Sequence, residues 1–244
     1  MRSKINTARI YRDLFDAYVQ DGKDPNEILI SESDLVLDAA LTTGMSVASF
    51  NVNVTSGNPQ AWEVRLAQTD AFRVCRWGVY AYGIIGTTTG PAGSTSYEYW
   101  TYAPWELKNS FVTINPIWDS GLLNMNLNSK QYVKNLATNR SKMKPRTGIA
   151  PFQALTTSGS ANSAFQNSME LGQDGMVDME PGVFLQGNWN NNVTIGFSNP
   201  AGIAPVTNYA FVADDGSDVY ISISRIILRF EGLVCQNLTA ILGV

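Results

Sequence analysis

The stretch from Val219 to Val234 is the longest run in the chain that reads as a buried β-strand, and its apolar pattern changes phase midway. Val219, Ile221 and Ile223 place apolar side chains at odd positions, whereas Ile226, Leu228 and Phe230 place them at even ones. Successive side chains of a strand point to opposite faces, so a slip of one residue turns every apolar group the wrong way unless the strand bulges. The pattern therefore predicts a bulge near Ser224 to Arg225, with Ile223 and Ile226 both facing the core. A bent strand of that kind is expected to pass from one sheet of a β-sandwich to the other.

Other segments read as strands by the same alternation: Ile28 to Leu37, Ser46 to Val54, Trp62 to Gln68 and Phe72 to Ile84. Phe111 to Ile117 and Leu122 to Leu127 read as a pair about the turn Trp118 to Gly121. Val183 to Leu185 and Val193 to Phe197 read as a hairpin about Gly187 to Asn192. Asp214 to Asp218 has the oxygen content of a calcium loop but lacks its downstream glutamate, and fits a turn before the last strand. One helix is expected, Thr7 to Asp21, capped by Thr7, striped by Ile10, Leu14 and Tyr18, and stopped by Gly22 and Pro25. About ten strands, one helix and no βαβ alternation predict an all-β fold, an antiparallel β-sandwich with a short N-terminal helix. Residues 1–25 form the arm and helix, and 26–244 form one sandwich domain with a polar insertion near 140–180.

Composition removes whole classes of chemistry. The chain has no histidine, hence no Ser-His-Asp triad, no Cys-His dyad and no imidazole metal ligand. Its two cysteines, Cys75 and Cys235, match no zinc spacing and fall in apolar strands, which predicts buried thiols. Asp174, Asp178 and Glu180 cluster at the end of the insertion and could do acid-base work or bind calcium, but nothing nearby supplies a partner and they read as charged loop residues. A carboxylate-pair glycosidase would need two inward-facing acids, for which Glu63 and Glu98 are the ones the strands offer. No catalytic residue, metal site or cofactor is nominated, and the protein is not expected to be an enzyme. A net charge of −4 argues against nucleic-acid binding by the chain as a whole. No apolar run approaches the length of a membrane span, and Met1 to Gln20 is charged where a signal peptide is apolar, which predicts a soluble, cytosolic product without membrane insertion.

Three stretches are candidate contacts to a partner. The stripe Ile10, Leu14 and Tyr18 must be covered, either by the chain's own domain or by a neighbouring subunit. Tyr97 to Trp105, with Tyr99, Trp100 and Trp105, lies beside a Gly/Thr/Ser-rich loop and suits a packed strand, a partner contact or a stacking platform for a glycan. From Lys134 to Arg146 there are positive charges only: Lys134, Arg140, Lys142, Lys144 and Arg146. No aromatics interleave with them to stack bases, so the run reads as a solvated loop or a contact to an acidic neighbour. Thr156 to Gly175 is an exposed, variable insertion by composition.

The arm Arg2 to Tyr18, the strand series Ile28 to Ile84, and the strands Val183-Phe184-Leu185-Gln186-Gly187 and Arg229-Phe230-Glu231-Gly232 give the chain a resemblance to the jelly-roll capsid proteins of non-tailed viruses and bacteriophages. The resemblance implies a jelly-roll sandwich and a structural role: many copies, together with other virion proteins, closing a shell in a virion made in the host cytoplasm. It implies no catalytic residue. The alternative is a glycan- or receptor-binding sandwich module.

Overall fold

The computed structural model of the chain describes residues 7–54, 60–88, 95–101, 116–141, 175–212 and 218–238. Helix α1 (Thr7–Gln20) comes first. The strands that follow are β1 (Ile30–Ala40), β2 (Val47–Asn51), β3 (Ala71–Thr88), β4 (Thr95–Thr101), β5 (Gly121–Leu127), β6 (Lys130–Ala137), β7 (Val177–Gln186), β8 (Asn191–Phe197), β9 (Val206–Val212) and β10 (Asp218–Cys235). A single helical turn, α2 (Pro116–Asp119), precedes β5. All ladders between these strands are antiparallel.

Two 18-residue strands, β3 and β10, pair along their length and form the spine of the first sheet. The free flank of each is shared by two shorter strands set end to end: β9 and β1 beside β10, and β7 and β4 beside β3. The second sheet has the order β2-β8-β5-β6. With β4 and β9 set aside the pairing is nested: β1 with β10, β2 with β8, β3 with β7, and β5 with β6.

The phase slip in β10 is a bulge between Ile223 and Arg225. Ser224 is the extra residue, and its carbonyl oxygen accepts a hydrogen bond from Leu41 N at 2.8 Å. Ile223 and Ile226 are both fully buried in the core between the sheets. The strand does not cross to the other sheet as expected. At the bulge it changes its flanking partner, from β9 beside Asp218–Ile223 to β1 beside Arg225–Cys235.

A second bulge lies further along the same ladder, in β3, where Val74 pairs with Gly232 and Arg76 with Glu231, leaving Cys75 as the extra residue. Phe72 and Val74 enter the core before it, and Trp77, Val79 and Ala81 after it. Gly232 is required opposite: a Cβ there would run into the carbonyl oxygen of Arg73. The core itself is filled by Phe50, Phe72, Trp77, Leu123, Leu228 and Phe230, with Trp118 donating its Nε1–H to Val79 O at 3.0 Å.

Several expected pairings are corrected. Pro116 to Asp119 form a helical turn, with Ser120 N bonded to Pro116 O at 3.0 Å, and Phe111 to Asn115 lie outside the described residues. The hairpin partner of β5 is β6, joined through Asn128 (φ 47°) and Ser129 (φ 67°), two left-handed residues of the kind a tight hairpin turn needs. The segments β7 and β8 do not form a hairpin, because the first joins β3 and the second joins β2 and β5, so the Gly187–Asn190 turn crosses between sheets. Trp62 to Gln68 makes isolated bridges only, Val64 to Val36 and Leu66 to Asn53, and so straps the edge of β1 to the end of β2. That covers part of two edges that would otherwise offer unpaired backbone groups.

Candidate assembly surfaces

Helix α1 ends where expected, with Gly22 at φ +77° and its N–H bonded to Val19 O at 3.0 Å. Leu14, Ala17 and Tyr18 are buried against Ala71, Phe184, Leu233, Cys235 and Leu238, and Ile10 packs at the margin. The stripe is therefore covered by the outer face of the chain's own first sheet, and Leu14 and Tyr18 are not a surface left open for a neighbour. The exposed side of the helix carries Tyr11 and Val19.

Beside the helix lies an open cleft of about 400 Å³ lined by Arg9, Asp13, Arg73, Cys75, Asp178 and Glu180. The Arg73 guanidinium sits over the Phe184 ring at 4.3 Å, and its Nε has no hydrogen-bond partner among the described residues. Burial lowers its pKa, opposed by Asp13. Burial likewise raises the pKa of the Cys75 thiol, keeping it protonated and a poor nucleophile. Asp178 faces Arg76 at 3.6 Å. Glu63 is almost wholly buried, bound by Arg65 Nη2 at 2.8 Å and accepting the backbone N–H groups of Asp38 and Gln60. It is a structural carboxylate that pins the strap over β1, not a free acid or base.

The outer faces of the two sheets differ in chemistry. Across the first runs a chain of ion pairs: Asp34 to Arg229 (2.6 Å), Arg229 to Glu231 (3.0 Å), Glu231 to Arg76 (2.7 Å) and Arg76 to Asp178, linking β1, β10, β3 and β7. Beyond it Arg225 grips Asp38 and lies over Trp62, which stacks on Tyr82 with 4.5 Å between ring centroids. The second sheet carries uncharged rows instead. Asn51, Asn192, Asn126 and Gln131 are cross-strand neighbours on all four strands, and Ser49, Thr194 and Asn124 form the next row. Neither pattern was legible before the register was known, since each unites residues from distant segments.

Of the aromatic stretch, Tyr97 to Thr101 lie in β4, with Tyr99 opposite Gly83 and Trp100 opposite Tyr82; for Thr95–Thr101 the backbone alone is described. Trp105 lies outside the described residues, as do Lys142, Lys144 and Arg146. Arg140 is exposed on a 3₁₀ turn, Thr138–Ser141, directly after β6, which itself exposes Lys130 and Lys134. Sequence reading missed β6 because its burial follows pairs of residues rather than alternation, and Asn135 (φ 51°) interrupts it. Lys134 thus lies on the edge strand β6 and Arg140 on the turn that follows it, which packs against α2, β5 and β3.

Among the described residues no group of three or more Cys, Asp and Glu could hold a metal ion, and no helix is long and apolar enough to cross a membrane. Comparisons with protein-family models, curated proteins and solved structures found no match to the chain.

Proposed function

We propose that the chain is a structural virion protein, a jelly-roll capsid subunit that self-assembles into a shell with copies of itself and other virion proteins. The nested strand order carries this reading. Without β4 and β9 the sheets are β1-β10-β3-β7 and β2-β8-β5-β6, the order produced by rolling one long eight-stranded antiparallel hairpin into two sheets. Viral capsid domains and lectins are built on that plan. Its chemistry supports a scaffold: among the described residues the ion pairs of the first sheet run over its outer face, and the buried side chain of Glu63 is consumed by backbone and Arg65. The test is sedimentation and electron microscopy of the purified full chain. Closed particles far larger than the 26.7 kDa subunit are expected, and a monomer at every concentration and ionic strength would overturn the reading.

A second reading, a glycan-binding module, is favoured by the carboxamide rows on the second sheet. Each Asn or Gln offers a donor and an acceptor, the complement of neighbouring sugar hydroxyls, and the face carries no charge on β2, β8 or β5. An array of neutral glycans separates the readings: binding abolished by Asn126→Ala with Asn192→Ala supports the second, and no binding removes it.

A further inference from the structure

Two edge strands, β6 of the second sheet and β1 of the first, carry opposite charge, while β7 on the β6 side holds Asp178 against Arg76 and exposes Glu180. Between Gly121 and Ser141 the only charged residues are Lys130, Lys134 and Arg140, and the sequence continues with Lys142, Lys144 and Arg146 before any acid appears. Lys130, Lys134 and Arg140 are exposed on β6 and the 3₁₀ turn after it. Between Asp21 and Asp38, by contrast, stand Asp21, Asp24, Glu27, Glu32, Asp34 and Asp38 against the single base Lys23. Arg229 holds Asp34, Arg225 holds Asp38, and Lys23 lies 3.2 Å from Asp21. Asp24, Glu27 and Glu32 stay exposed at the start of β1 and just before it.

Topology puts these edges on opposite sides. The strap through Val64 and Leu66 joins β1 to the end of β2, so both strands lie on one side, and β6 is at the far end of the sheet that begins with β2. Within one subunit the two charged edges are therefore held apart. Two copies side by side bring the cationic edge of one against the acidic edge of the next.

We infer that the β6 edge, through Lys134, and the turn after it, through Arg140, dock on the Glu27 and Glu32 edge of a second copy of this chain. The contact is heterologous, head to tail, so each subunit uses both edges and the interface propagates until it closes. It deepens the capsid reading and rests on it. Exposed charge pairs are screened by salt, which makes assembly weaker as ionic strength rises from about 50 to about 500 mM.

The experiment uses the full chain in four forms: wild type, Lys134→Glu with Arg140→Glu, Glu27→Lys with Glu32→Lys, and all four changes together. Sedimentation velocity gives the concentration at half assembly, and circular dichroism checks folding. Each double reversal is expected to raise that concentration at least about tenfold. The fourfold swap restores it, and so does an equimolar mixture of the two reversed chains, because each then meets the edge it lacks. Should a reversed chain fail to fold, the salt dependence of the wild type decides, with assembly insensitive to salt counting against the contact. A wild type that never assembles defeats the capsid reading itself. A wild type that assembles while the reversals change nothing defeats this contact and leaves the capsid reading standing. Loss of binding to a 20-nucleotide single-stranded DNA probe on Lys134→Glu with Arg140→Glu, without change in assembly, would make the edge a nucleic-acid surface and overturn the inference.

Discussion

The hydroxyl of Thr138 is fully buried, 2.7 Å from Ile117 O and 3.0 Å from Gly121 O, and ties the 3₁₀ turn after β6 to the helical turn before β5. Thr138→Val keeps the volume and strands buried carbonyls, so a loss of about 1–3 kcal/mol is expected in urea unfolding. Ile223 and Ile226 lie on either side of the β10 bulge and are both without exposure, so truncating either to Ala should remove about 2–5 kcal/mol by the same measurement. A far smaller loss at one of them would mean that the bulge does not turn both inward. Cys235 supplies a test by pH. Burial pushes its thiol up to about 11, against the opposing pull of Lys23. In the unfolded chain a cysteine titrates near ~8.5, so the folded state keeps the proton longer. The associated stability is fully present below about 8.5 and is lost as pH rises towards about 11. Cys235→Ala should therefore flatten the decline of the urea midpoint between pH 8 and 11.

At the scale of elements, α1 is a covered helix whose buried face completes a small apolar cluster with Phe184, Leu233 and Leu238. A chain beginning at Asp24 leaves that cluster in water and should melt several degrees lower than the full chain; an unchanged Tm would show that the helix adds nothing to folding. What could be read from sequence was what repeats locally. The slip between Ile223 and Ile226 and the four-residue stripe of α1 are patterns within one segment, and both predicted what is found. The bulge at Cys75 was hidden because β3 is apolar on both faces, with Cys75, Tyr80 and Tyr82 buried as well as Phe72, Val74, Trp77 and Val79, so no alternation marks the slip. Strand β6 was hidden because an edge strand with Lys130 and Lys134 outward and a left-handed Asn135 carries little apolar alternation. The Gly187–Asn190 turn looked like a hairpin loop, yet whether two strands flanking a turn pair or part depends on which sheet each joins. The ion-pair chain and the carboxamide rows belong to register, and register joins residues such as Asp34 and Arg229 that no local window contains.

For the whole molecule, β10 is the strand on which the first sheet depends, flanked by β3 on one side and by β1 and β9 on the other. A chain ending at Ser217 loses that spine and leaves β1 without its partner. It should show no cooperative melting transition by circular dichroism, and a sharp transition would mean that the remaining strands close a core alone. The nested pairing also sets a clock. Asp34 and Arg229, which bind across β1 and β10, stand 195 residues apart, a distance that a ribosome covers in roughly 10–40 s. For that interval the nascent β1 is a strand without its mate. The arginines of β10 arrive last, so synthesis itself delays the first sheet.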